Sequence, residues 1–304
     1  RLIHDEMGKK AHSCFVVYNR EEFKEVQGLS SHITFNSMSQ FERFKKELRK
    51  DVNYGLRINP EFSNVDFIKY NPCAPGSRFG VTFDELPTIF PEEITGLHFH
   101  TLCESSSGNF KDVLDVIESK FGNILHRMKW VNFGGGHHIT KKGYDINLLS
   151  SLLNKVRNKY DIEVYIEPGE AIALNAGFLL AKVEDIVTSQ NEKTAVLNVS
   201  FAAHMPDCLE MPYKPEVVGE TNKGFEFTLG GNTCMSGDFV RGFHFEKELQ
   251  VGQDIIFKDM GHYTFVKTTF FNGVKHPSLG IWAKNNEFRL LKDFSYEDFK
   301  HRLS

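Results

Sequence analysis

Three clusters in the 304-residue sequence carry the residue types of a catalytic site. Residues 97–104 (LHFHTLCE) place His98 and His100 two apart, residues 130–140 (WVNFGGGHHIT) run Gly134, Gly135 and Gly136 into His137 and His138, and residues 163–170 (EVYIEPGE) end an apolar run in Glu167, followed by Glu170. Alternate strand residues share a face, so HxH has the spacing of a metal-ligand pair. We read His98, deeper in the strand, as a packed core histidine and His100 as the imidazole that reaches a site. A glycine run after a strand lets backbone approach a ligand and aligns N–H groups on an anion; it is equally the mark of a tight turn. A carboxylate ending an apolar strand needs a cation or N–H donor, or it must be protonated. A salt bridge to a neighbouring strand would serve Glu167 as well as a ligand. Two later segments add residues 229–238 (LGGNTCMSGD), with Cys234 and Asp238, and 258–264 (KDMGHYT), with Tyr263. By themselves these read equally as a buried inert thiol and ordinary β-domain packing.

The elements that must position these groups alternate. Short apolar runs at 13–18, 32–36, 54–59, 96–101, 129–133 and 163–167 read as strands, and helical spacing appears at 39–48, 110–121 and 144–160. Repeated strand–helix–strand means a parallel α/β fold, whose active site lies at the carboxyl ends of its strands. His100, the glycine turn and Glu167 then face one mouth. After about residue 177 the texture becomes β-rich, at 179–188, 194–199, 226–230, 254–258 and 262–271. We therefore expect a βα domain over 1–177 and an antiparallel β domain over 178–304, with the last helix free to return to the first. About six βα units are countable where a closed (β/α)8 TIM-type barrel needs eight. The expected fold is that barrel with N-terminal units missing from this sequence; an open doubly wound sheet is the alternative. Residues 1–10 (RLIHDEMGKK) read as the end of a helix closing on Gly8, as in a chain met part-way through its fold.

The bulk numbers exclude other classes. The net charge is -4 and both signs are scattered, with no basic, aromatic-interleaved patch, which argues against nucleic acid. No apolar run approaches membrane-spanning length. Five cysteines, odd in number and without a CxxC pair, point to reduced thiols and a cytoplasmic setting.

In order, FHT, the triple glycine, EPGE, GNTC…D and MGHYT resemble the pyridoxal-phosphate decarboxylases on the alanine-racemase-like barrel, which include ornithine and diaminopimelate decarboxylases. Residues 71–80 (NPCAPGSRFG), 97–104, 133–140 (FGGGHHIT), 204–215 (HMPDCLEMPYKP) and 268–274 (TTFFNGV) resemble the branch acting on carboxynorspermidine and carboxyspermidine. The resemblance runs the length of the chain. It implies pyridoxal 5'-phosphate as cofactor, a polyamine-like amino acid as substrate and a homodimer with shared active sites. It also implies roles. Glu167 would hold the ring-nitrogen proton, His100 would stack on the ring, and Gly134, Gly135, Gly136 and Tyr263 would hold the phosphate. Cys234, delivered by the partner subunit, would protonate the product carbanion, and Asp207, Asp238 and Glu170 would meet substrate ammonium groups. Two departures stand out. No residue matches the family's cofactor-holding lysine at the end of the first barrel strand, as expected if that strand is among the missing units. Glu170 also stands where the wider group often has a phosphate-binding Arg. The competing readings are a decarboxylase of a basic amino acid, a metal-dependent hydrolase using His98, His100, His137 and His138, and a non-catalytic polyamine binder.

Overall fold

The computed structural model describes residues 1–303 and divides into two compact units, Arg1–Ile172 and Ala173–Ser304.

The first unit is a six-stranded parallel sheet: β1 (Ala11–Cys14), β2 (Ser30–Phe35), β3 (Asn53–Ile58), β4 (Ile94–Phe99), β5 (Trp130–Asn132) and β6 (Glu163–Tyr165). The strands lie side by side in strict chain order. A doubly wound sheet reverses its order at a switch point; one that never reverses is wound as a barrel wall. The register sorts side chains into two kinds of row. Leu56, Leu97, Val131 and Val164 are register neighbours. The first three are completely buried and share a core with Val113, Leu114, Ile117 and Phe121 of the helix Ser107–Leu125. One residue further along, Arg57, His98 and Asn132 form the adjacent row, and alternation turns them to the opposite face. Each polar side chain therefore has an apolar strand neighbour that anchors it.

The helices begin where the sequence supplies caps. Ser106 accepts the Asn109 N–H in a reciprocal capping box, and Asp145 accepts the Leu148 N–H at the start of Ile146–Tyr160. Glu118 ties these two helices together, taking Lys155, Lys159 and the Tyr160 hydroxyl.

Beneath the polar row the sheet is packed by Trp130. A Cβ on Gly55 or Gly96 would lie 2.4 or 2.0 Å from its ring, so these strands carry glycine where the indole crosses them. His12, His32 and Tyr165 surround the same ring cluster.

The second unit holds a five-stranded sheet in the order β10-β9-β8-β7-β11, from β7 (Phe178–Ser189), β8 (Glu192–Leu197), β9 (Glu220–Gly230), β10 (Phe239–Phe245) and β11 (Asp254–Lys258). A separate hairpin joins β12 (Leu279–Trp282) to β13 (Phe288–Lys292). The sheet is mostly antiparallel, as expected, with one parallel pair. β8 and β9 pair in parallel because the chain between them crosses over through the short helices Phe201–His204 and Asp207–Glu210. The expected strand at 262–271 is also corrected: Tyr263–Lys267 is helical, and the Lys267 ammonium lies over the Tyr263 ring one turn away, 5.4 Å from its centre. β10 escaped detection because Gly242, at φ +81°, and two register shifts break its alternation. The apolar run at 13–18 stops being strand at Cys14; Phe15, Val16 and Val17 are exposed, and Tyr18 turns inward to donate to the Ser13 and Thr34 carbonyls. No described helix is long and apolar enough to cross a membrane.

Candidate active site

The carboxyl ends of β4, β5 and β6 bring together His100, the glycine turn and Glu167, all in the first unit. The turn is built by its neighbours. Gly134 and Gly136 have φ of +66° and +84°. A Cβ on Gly134, Gly135 or Gly136 would lie 2.7 Å from the Phe99 carbonyl oxygen, 2.9 Å from that of Glu167 or 2.2 Å from that of Leu102. Glycine is thus required here by backbone-on-backbone packing as well as by φ. Two of the amides have protein acceptors: Gly134 N–H donates to Asn132 Oδ1 at 2.8 Å, and Gly135 N–H donates to His100 Nδ1 at 3.1 Å.

The second bond sets the state of His100. An Nδ1 that accepts a hydrogen bond leaves the ring hydrogen on Nε2, the neutral tautomer. Burial pushes the imidazole down to about 4, helped by the positive charges of Arg57 and His98. Glu167 is lowered as well, which for a carboxyl favours the charged form. Burial alone would raise its carboxyl, but the His98 imidazole and the Asn132 amide outweigh that and hold it near 2. Asn132 Nδ2 donates to Oε1 at 2.7 Å, and Oε2 lies 3.4 Å from His98 Nε2. The Glu167 N–H returns to the Gly134 carbonyl at 2.7 Å, so turn and carboxylate are braced against each other.

Three residues not singled out for catalysis belong to this site. Asn132 bridges the glycine turn and Glu167. Arg57 is 8% exposed, stacked 4.3 Å from the centre of the Phe79 ring, and among the described residues no carboxylate ion-pairs with it. A buried guanidinium in that position calls for an anion. His98 is buried, as expected, yet it is no bystander, since it touches Glu167. The spacing signal for Arg57 and His98 was present, because both fall one residue out of step with the apolar row of their strands.

The four-histidine metal set does not assemble. The donor atoms of His98, His100 and Glu167 lie within 4.8 Å of one another, but His137 and His138 are not of that group. His137 is 1% exposed, edge-on to Phe110, and burial pushes it down to about 4, as for a neutral core histidine. His138 lies 3.5 Å from Glu170, so Glu170 faces an imidazole.

The remaining expected residues lie in the second unit. Cys234 is exposed and accepts the Asn272 amide at 3.0 Å. Asp238 is 4% exposed; its carboxylate takes the Ala202 N–H at 2.9 Å and the Thr233 hydroxyl at 2.6 Å. These bonds hold the Cys234 loop. Asp207 ion-pairs with Lys267 at 2.5 Å, and Tyr263 is half-exposed. A cavity of about 320 Å³ in this unit, lined by His204, Met260, Thr264 and His276 among others, includes none of these residues.

A family model described as pyridoxal-dependent decarboxylase, C-terminal sheet domain, matches residues 15–261. The carboxyaminopropylagmatine decarboxylase of Synechocystis sp. is 44% identical over all of this chain and 80% of the relative. The carboxynorspermidine/carboxyspermidine decarboxylase of Campylobacter jejuni is 42% identical over 97% of this chain and 81% of its own. The crystal structure of carboxynorspermidine decarboxylase from Campylobacter jejuni, complexed with norspermidine, superposes with a TM-score of 0.90 at 39% identity, covering 98% of this chain and 82% of that one. With a sheet wound like a barrel wall, a braced carboxylate beside a neutral imidazole, and full-length relatives of this kind, the chain belongs to the pyridoxal-dependent decarboxylase family.

Proposed function

We propose that this protein decarboxylates a carboxylated polyamine of the carboxynorspermidine or carboxyspermidine type with pyridoxal 5'-phosphate. The observation that carries the reading is the arrangement at the strand ends, where Glu167 is braced by Asn132 and the glycine turn and His100 is held by the Gly135 amide.

The residues fit the family's cofactor. A protonated ring nitrogen needs a carboxylate, and Glu167 is one at neutral pH. A flat aromatic ring suits a neutral imidazole, and the anionic groups of the cofactor suit the otherwise unpaired Arg57. The amides of Gly134 and Gly135 are engaged by protein, so the phosphate falls to the Gly136 end of the turn, with Tyr263 as its second contact. When bound, pyridoxal phosphate supplies an electron sink for the charge left at Cα as CO2 departs. Glu167 keeps the proton on the ring nitrogen, and Asn132 keeps Glu167 oriented. Cys234 returns a proton to Cα, so the reaction loses CO2 and gains one proton there. Asp207 and Glu170 meet the substrate's ammonium groups, and Asp238 holds the Cys234 loop. In this reading Cys234 reaches the site of the partner subunit in a homodimer.

The two relatives above are named for different carboxylated substrates at nearly equal identity. Carboxynorspermidine and carboxyspermidine differ by one methylene, worth about 1–3 kcal/mol in an apolar pocket, so the choice between those two is quantitative, whereas carboxyaminopropylagmatine differs by a guanidinium. Relative kcat/KM of the complete gene product on carboxynorspermidine, carboxyspermidine and carboxyaminopropylagmatine tests the reading. The first or second is expected to lead. Turnover confined to diaminopimelate, ornithine or arginine would overturn it.

A further inference from the structure

We propose that His98 is a positioning residue, standing as an imidazolium between Cys14 and Glu167 and fixing Glu167 as a carboxylate; this rests on the cofactor reading of Glu167. His98 is 2% exposed. Its Nδ1 lies 3.4 Å from Cys14 Sγ and its Nε2 lies 3.4 Å from Glu167 Oε2. A neutral imidazole donates through only one nitrogen. The Cys14 thiol can donate to Nδ1 or accept from it, so that contact allows either form. The Glu167 carboxylate, at ion-pair distance from the buried Nε2, is what favours the second proton.

The opposing terms are visible. Burial disfavours a charge here, and the surrounding elements contribute other bases and cations: His12 on β1, Arg57 on β3 and His100 just past β4. Burial leaves His12 and His100 depressed toward the neutral form. Arg57 is the one standing cation among them, and it is the register neighbour of His98. Against burial act Cys14 and Glu167, and they carry His98 up to about 9. The same contact carries Glu167 down, so the two directions agree. Oxygen Oε1 already has Asn132. His98 is the partner of Oε2, and without it burial would raise the carboxyl.

The test begins without cofactor. Nitrogen-15 spectra of histidine-labelled apoprotein, with His98 assigned by its loss in His98→Gln, should show both ring nitrogens protonated at pH 7. Deprotonation should come near pH 9, and Cys14→Ala should lower that midpoint by about one unit or more. A singly protonated ring at pH 7, or a midpoint indifferent to Cys14→Ala, overturns the proposal. In the holoenzyme, His98→Gln should move the acid limb of kcat up by about one unit or more while KM changes little. An unmoved acid limb in the folded variant overturns it. Should His98→Gln not fold, His98 is assigned instead by through-bond correlation to its backbone amide, and the wild-type and Cys14→Ala spectra then decide. If His98 is doubly protonated but Glu167→Gln turns over normally, the cofactor reading of Glu167 fails while the charge state of His98 stands.

Discussion

Glu167 and His100 stand together at the strand ends, and both are lowered, to about 2 and about 4, which leaves a carboxylate beside a neutral imidazole at neutral pH. Glu167→Gln keeps the shape and the Asn132 contact but removes the charge. It should lower kcat by about a hundredfold or more, and, because it leaves His98 without its anionic partner, lower the melting temperature as well. Steady-state kinetics beside a melting curve would check this; unchanged turnover would refute the assignment. The same groups set a pH signature. Glu167 and His100 have folded values below their ordinary 4.5 and 6.5, so the unfolded chain binds their protons first and stability falls as pH drops through those windows. His98, raised from 6.5 to about 9, gives stability that is lost as pH rises through that range. Urea unfolding across pH should therefore show the contribution of these three groups peaking near pH 6.5. His98→Gln should flatten the alkaline side.

At the scale of elements, the turn after β5 is fixed by packing. Gly136 has φ +84°, and a Cβ there would lie 2.2 Å from the Leu102 oxygen. Gly136→Ala should cost about 2 kcal/mol or more of stability, read as a lowered urea midpoint, and should loosen cofactor binding. Much of this layer was legible. The strand runs that hold Leu56, Leu97 and Val131 and the helical spacing of 110–121 and 144–160 are local signals, and local signals survive in sequence. What escaped depends on neighbours far along the chain. His98 read as core because burial was evident, but its contact with Cys14 crosses 84 residues. Arg57 looked like any polar residue in a strand, since only the sheet register shows that it stands beside His98. Residues 262–271 are rich in β-branched and aromatic types, and the helical pair Tyr263–Lys267 decided otherwise.

At the scale of the whole molecule, the residues proposed for the chemistry are spread over both units: His100, the glycine turn, Glu167 and Glu170 on the first, Cys234, Asp207 and Tyr263 on the second. The exposed thiol of Cys234 has one described donor, Asn272, and is otherwise open to a reacting group. Cys234→Ala should retain cofactor absorbance and lose about a hundredfold or more in turnover, the usual worth of a placed acid. Mixing Cys234→Ala with Glu167→Gln protein should restore activity up to roughly a quarter of wild type if each site draws on both subunits of a twofold dimer. No recovery from demonstrated mixed dimers would place each site within one chain. The most direct test of the central claim is CO2 release from carboxynorspermidine by the complete gene product, with and without added pyridoxal phosphate. The account predicts release in step with polyamine formation and dependent on the cofactor. A cofactor-loaded, folded protein that releases no CO2 from this or from carboxyspermidine would contradict it.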